Sequence, residues 1–154
     1  MITLDLQTFQ QCRQGGSITG VIYIELETEA YPETGWSDFP VIILSGWAEA
    51  LMEMPARREV LWRFMDGPHR LTLTRVAGGG SPGALTYELL ETRLLEAMQR
   101  VVAYCDSRAM AAPDLEVLRA NLLRLQANQT VQGTTASRSA PILMRPSGVA
   151  DSRR

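Results

Sequence analysis

The sequence predicts an α+β fold, a small antiparallel sheet of four to five strands with about three helices packed on one face. Three observations carry this. Several short runs alternate apolar and polar residues, the period of a strand; three longer runs repeat apolar residues three and four apart, the period of a helix. The chain also has 154 residues, 45% of them hydrophobic, enough for one compact core. A single domain is expected over 1–127, with a flexible C-terminal tail over 128–154.

The elements follow in order. Residues 2–6 alternate and read as a strand, and 10–20 are a loop rich in turn formers. Residues 21–27 alternate again, with Ile22, Ile24 and Leu26 on one face and Tyr23, Glu25 and Glu27 on the other. A loop is expected from Glu29 to Ser37. Asp38 then suits a helix N-cap and Pro40 a first turn, where a missing N–H is tolerated. That helix would run to about Met54, aligning Val41, Leu44, Trp47, Ala48 and Leu51, until Pro55 ends it.

Residues 58–65 and 69–76 read as a hairpin joined by Asp66-Gly67-Pro68. Pro68 cannot donate to a ladder, so it belongs at the turn or the strand start. Gly78–Gly83 is a flexible turn, and 84–90 fit either a fifth strand or the entry to the next helix. From Glu91 to about Arg108, Leu94, Leu95, Met98, Val101, Val102 and Cys105 form one helical stripe. A last helix from Asp114 to about Ala127 aligns Leu115, Leu118, Leu122 and Leu125. The tail beyond is Thr, Ser, Gly, Arg and Pro without an aromatic residue, a composition that packs poorly.

Charge is balanced in total and uneven in layout. The formal net charge is −2, and all 15 basic residues are Arg, the usage of a GC-rich genome. A general nucleic-acid binder would be basic overall, and a disordered acidic chain would be far more charged. Residues 1–54 nevertheless carry eight acids against Arg13 alone. If the second strand extends far enough, Glu25, Glu27 and Glu29 share a face with Tyr23, and like charges there repel. One reading is a patch that attracts a basic partner; the other is a solvated face paired to Arg63, Arg70 or Arg75. Tyr31 and Trp36 flank the acids, as interface anchors or as core plugs. The candidate partner-binding set is Tyr23, Glu25, Glu27, Glu29, Glu33, Trp36 and Asp38.

Catalytic signatures are sparse. The single histidine, His69, follows the Asp66 turn, and a small enzyme using that pair is the least favoured reading. Cys12 and Cys105 make no disulfide framework, so a reducing compartment is expected, and one His with two distant Cys gives no metal cluster. Gly78-Gly79-Gly80-Ser81 lacks the following Lys of a phosphate loop. No cofactor is expected. No basic-then-apolar leader opens the chain, and its most apolar stretch, Pro40–Met54, is too short and too charged to span a bilayer, which predicts a cytoplasmic protein.

The stretches Gly35-Trp36-Ser37-Asp38-Phe39, Gly46-Trp47-Ala48-Glu49-Ala50-Leu51 and Arg63-Phe64-Met65-Asp66-Gly67-Pro68 resemble segments of small bacterial immunity proteins of polymorphic or contact-delivered toxin systems. The resemblance covers residues 1–110. It implies a cytoplasmic inhibitor that binds one cognate protein toxin and blocks its active site, and it brings no catalytic residues. A toxin acting on nucleic acid would present a basic cleft, which an acidic surface suits. The alternative is an oligomeric accessory protein, a homodimer packed through the leucine stripe of 115–125.

Overall fold

The computed structural model describes residues 1–77, 85–131 and 140–147. Within them the α+β class holds: three helices and two small antiparallel sheets, where the sequence predicts the strands in one. The first sheet is built on β1 (Ile2–Gln11) and β2 (Ile18–Glu25). Two short strands, β3 (Ala30–Tyr31) and β4 (Ser37–Asp38), also pair with β2, at its far end and its middle.

Both long strands differ in extent from their sequence patterns. β1 outruns residues 2–6 because Leu6–Phe9 bulge out of the ladder between the Asp5↔Val21 and Gln10↔Thr19 pairs. Side chains satisfy the freed backbone: Gln7 N–H donates to Asp5 Oδ1 at 3.1 Å and Val21 N–H to Thr8 Oγ1 at 2.8 Å. The expected loop of 10–20 therefore yields Ile18–Gly20 to β2, and Ile18 is buried. At the other end β2 stops at Glu25.

α1 (Pro40–Glu53) buries the predicted stripe of Val41, Leu44, Trp47, Ala48 and Leu51. It packs against β2 of the first sheet and β5 of the second, so it joins the two layers. Its N-cap is Phe39 without a side-chain cap bond, not Asp38. The hairpin of β5 (Glu59–Arg63) and β6 (Arg70–Arg75) forms as its turn predicts, with Gly67 at φ 75°.

Of residues 84–90, 87–90 open a helix, Leu85 and Thr86 pair with Ile142 and Pro141 in a short antiparallel bridge, and residue 84 lies outside the described residues. Thr86 caps α2 (Tyr87–Ser107), accepting the Leu89 N–H at 3.2 Å. α3 (Pro113–Val131) turns three of its leucines inward: Leu115, Leu118 and Leu125 are buried among helices of the same chain, Leu122 is half-buried and Leu123 is exposed. A buried polar knot fixes α3 to α1. Asn121 Nδ2 donates to Ser45 Oγ at 2.7 Å and to Glu49 Oε1 at 3.0 Å, while Arg124 donates to Asn121 Oδ1 at 3.0 Å.

The expected tail needs correcting. Residues 142–147 are β7 (Ile142–Ser147), paired with the second edge of β6 from Arg75↔Ile142 to Arg70↔Ser147. A strand edge with unpaired N–H and C=O groups is satisfied this way, and Ile142 adds a buried side chain. The turn predicted at Gly78–Gly83, and residues 132–139 and 148–154 of the tail, lie outside the described residues. No helix among those described is long and apolar enough to cross a membrane.

Candidate functional site

The open face of the first sheet is set by alternation along β2. Ile18, Gly20, Ile22 and Ile24 point to the core, so Thr19, Val21, Tyr23 and Glu25 point outward. Pairing supplies the rest: Thr3 lies opposite Tyr23, Asp5 and Ser37 opposite Val21, and Ala30 opposite Glu25. This outer face gathers Tyr23 and Val21 between two carboxylates, Asp5 and Glu25. Asp5 is absent from the sequence-derived set. Its outward direction is legible beside inward Ile2 and Leu4, but its place next to Val21 depends on register.

Glu27 and Glu29 leave this face. Leu26 N–H donates to Glu29 O at 2.8 Å and closes the β2–β3 hairpin, with Glu27 and Thr28 at its tip. The expected row of three glutamates on one strand face is therefore corrected: Glu25 ends the strand, and Glu27 and Glu29 are exposed around the turn. Spread over a turn in water, the three charges repel less than on one pleat. The Met1 amino group donates to the Glu25 carbonyl, and Glu25 N–H donates to Met1 O at 2.8 Å. Burial pulls the pKa of that amino group down, the Glu25 charge pushes it up, and Arg93 lowers it further.

Glu33 is exposed in the β3–β4 loop, where its carbonyl accepts the Trp36 N–H at 3.3 Å. Trp36 and Asp38 flank outward Ser37 and so point the opposite way, toward the second sheet. The Trp36 indole N–H donates to Asp38 Oδ2 at 3.1 Å. Asp38 is only 3% exposed. Its Oδ1 accepts Phe39 N–H at 2.8 Å, and its Oδ2 accepts Met65 N–H at 3.0 Å and Asp66 N–H at 3.1 Å. Asp38 thus pins the β5–β6 turn to the first sheet, and it is withdrawn from the partner-binding set as a buried acceptor.

Tyr31 is buried, with its hydroxyl accepting Arg70 N–H at 3.0 Å, and Trp36 is half-buried against the core. Both rings meet His69 edge-on, with centroids 5.9 and 4.9 Å away. The two flanking aromatics are therefore packing groups around His69. Among the described residues no hydrogen bond or ion pair joins His69 to Asp66, whose N–H is held by Asp38. The ion pairs there are Arg57–Glu53, Arg93–Glu96 and Arg119 with Asp106 and Glu116. None involves Glu25, Glu27, Glu29 or Glu33, and neither Arg63 nor Arg70 takes part in one.

Cys12 is exposed and Cys105 buried. Burial raises the Cys105 pKa first, the Asp106 charge adds to that, and Arg119 opposes it. No group of three or more His, Cys, Asp or Glu side chains among the described residues is placed to hold a metal ion. The α3 stripe expected at a homodimer contact is largely internal, with Leu115, Leu118 and Leu125 buried, while Val117 and Leu123 of the same helix are exposed. Comparison with protein-family models, curated proteins and solved structures finds no match to this chain.

Proposed function

We propose that this protein is a non-enzymatic bacterial binding protein, an immunity protein that acts in the cytoplasm by occupying a cognate toxin. One observation supports the reading above others. Tyr23 lies on an open sheet face between Asp5 and Glu25, beside a hairpin tip carrying Glu27 and Glu29, and none of the three glutamates is neutralised by an arginine among the described residues. An acidic field without arginine partners around an aromatic anchor speeds encounter with a basic surface and gives it a point of purchase. A toxin with a basic, nucleic-acid-handling cleft has the matching chemistry. Glu33 borders this surface, and Trp36 supports it from behind.

The test starts with affinity capture from the native host and mass spectrometry to obtain the partner. Affinity is then measured across a salt series for the native chain and for the triple variant Glu25→Arg, Glu27→Arg, Glu29→Arg. Weaker binding with a flatter salt dependence supports the assignment. Unchanged affinity in a folded triple variant removes it.

A further inference from the structure

Among the described residues β5 pairs with β6 alone, so its other edge is open. Two contacts fix which backbone groups face out. Arg75 N–H donates to Arg58 O at 2.9 Å and Phe64 N–H to His69 O at 3.0 Å. Antiparallel pairs alternate between bonded and non-bonded. Val60 and Trp62 therefore bond to β6, and the N–H and C=O groups of Glu59, Leu61 and Arg63 point away from it. The Arg63 carbonyl accepts the Trp47 indole N–H at 3.0 Å. The backbone groups of Glu59 and Leu61 take no protein partner among the described residues.

A trough of about 540 Å³ runs along this edge, between β5 and α1. Its α1 wall carries Ile42, Gly46 and Ala50, spaced by four, beside Glu49 and an ion-paired Glu53–Arg57, and a Cβ on Gly46 would meet nothing within 4 Å. Met65, 53% exposed, lines the Arg63 end. On β5, Glu59 and Arg63 stand exposed on either side of half-buried Leu61, alternating with buried Val60 and Trp62, and Glu59, Leu61 and Arg63 also line the trough.

We propose that this edge and trough receive one extended strand of a partner protein. The strand pairs antiparallel with Glu59–Arg63, setting an acid opposite Arg63, an apolar residue opposite Leu61 and a base opposite Glu59. Three features select that occupant. Only an extended backbone offers donors and acceptors at the strand repeat. Its alternate side chains drop into the trough over Gly46 and Ala50. The terminal charges of β5 have opposite signs, so they fix both composition and direction.

A second copy of the chain fits poorly. α1 lies against β5, with Trp47 stacked on Trp62. Joining two β5 edges about a two-fold would bring two α1 helices to about one strand spacing, ~4.8 Å, where packed helices need about 8–10 Å. The strand site lies on the second sheet and does not depend on the acidic face of the first.

The test uses the full chain, isotope-labelled, and two capped peptides, Glu-Val-Val-Val-Lys and its reverse Lys-Val-Val-Val-Glu. The first is expected to shift the amide signals of Glu59, Leu61 and Arg63, with a Kd of about 1 mM. At saturation it should slow exchange of the Leu61 N–H about tenfold. The reverse peptide should bind about threefold more weakly, the size of a surface charge-pair preference. Leu61→Pro removes only an outward N–H, which edge strands tolerate, and should abolish binding. The double variant Glu59→Arg, Arg63→Glu should invert the peptide preference and keeps the question open to a decision if Leu61→Pro fails to fold. Amides that stay unmoved, shifts confined to another face, unaltered binding by folded Leu61→Pro, or self-association that Leu61→Pro abolishes would each overturn the proposal.

Discussion

The indole of Trp62 lies flat against that of Trp47, with ring centroids 4.6 Å apart and planes within 5° of parallel. One hydrogen bond joins them, Trp62 Nε1 donating to Trp47 O at 3.1 Å, and a second ties Trp47 Nε1 to Arg63 O of β5 at 3.0 Å. Both side chains are fully buried. One pair therefore fastens α1 to β5 by stacking and by satisfying polar groups that burial would otherwise strand. Trp62→Ala is expected to cost about 3–5 kcal/mol, the range for large aromatic deletions in a core. Trp62→Phe keeps a ring but loses the donor, and should cost roughly 1–3 kcal/mol. Urea midpoints at unchanged slope measure both. A Phe variant as damaging as Ala would mean that the hydrogen bond, not the ring, holds the contact.

Asp38 concentrates four accepted hydrogen bonds on one carboxylate. Asp38→Ala strands the Met65 and Asp66 N–H groups near the end of β5 and should cost about 2–4 kcal/mol. Asp38→Asn replaces one acceptor oxygen with a donor NH2 that faces N–H groups, so it should recover little of this. Amide exchange at Met65 and Asp66 should accelerate ahead of global unfolding in both variants. Normal protection at those two amides would show that the β5–β6 turn holds itself.

Asp38 also marks where reading the sequence succeeds and where it fails. Periodicity is local, so the β2 alternation of Ile22 and Ile24 against Tyr23, the Asp66-Gly67 turn and the three helical stripes were legible. The role of Asp38 was not, because a buried acceptor and a surface charge are the same letter until Met65 and Asp66 arrive from 27 and 28 residues away. The end of β2 at Glu25 depends on a hairpin bond from Leu26 to Glu29 that alternation does not encode. β7 contains Pro146 and follows a polar stretch, and what makes it a strand is the open edge of β6. Asp5 joined the acidic face through register, which a one-residue slip would have reversed.

Arg119 meets Asp106 across the α2–α3 corner with two guanidinium nitrogens on two carboxylate oxygens. The hydrogen bond to Arg119 draws the Asp106 pKa below its ordinary value, against a smaller opposing effect of desolvation, and the Arg119 charge adds to the lowering. A carboxyl with a depressed folded pKa stabilises the fold at pH above its unfolded value and loses that contribution as pH falls through the folded one. Arg119→Gln should therefore return the Asp106 titration toward about 3.9, the unperturbed aspartate value. Carboxyl-carbon chemical shifts followed from neutral to acid pH read this directly. An unchanged midpoint in the variant would show that Arg119 is not the cause.

Gly20 sits under the Phe9 ring in the bulged stretch where β1 and β2 part. A Cβ there would lie 2.4 Å from Phe9 Cδ1 and 2.9 Å from Cε1, closer than side chains come. Phe9 is buried and meets Tyr104 of α2 edge-on at 5.9 Å, so it cannot swing away without opening the α2–sheet contact. Gly20→Ala should thus cost about 1–3 kcal/mol through overpacking, despite the gain in strand propensity. Phe9→Leu should also destabilise, by lost area and a cavity beside Tyr104. Together the two should cost less than their sum, because the smaller side chain makes room for the new methyl; a coupling of about 0.5–3 kcal/mol is the scale for touching residues. Additive costs would place the strain of Gly20→Ala in the backbone of β2 and not on the Phe9 ring, and the bulge would then be held open by its Thr8 and Asp5 hydrogen bonds alone.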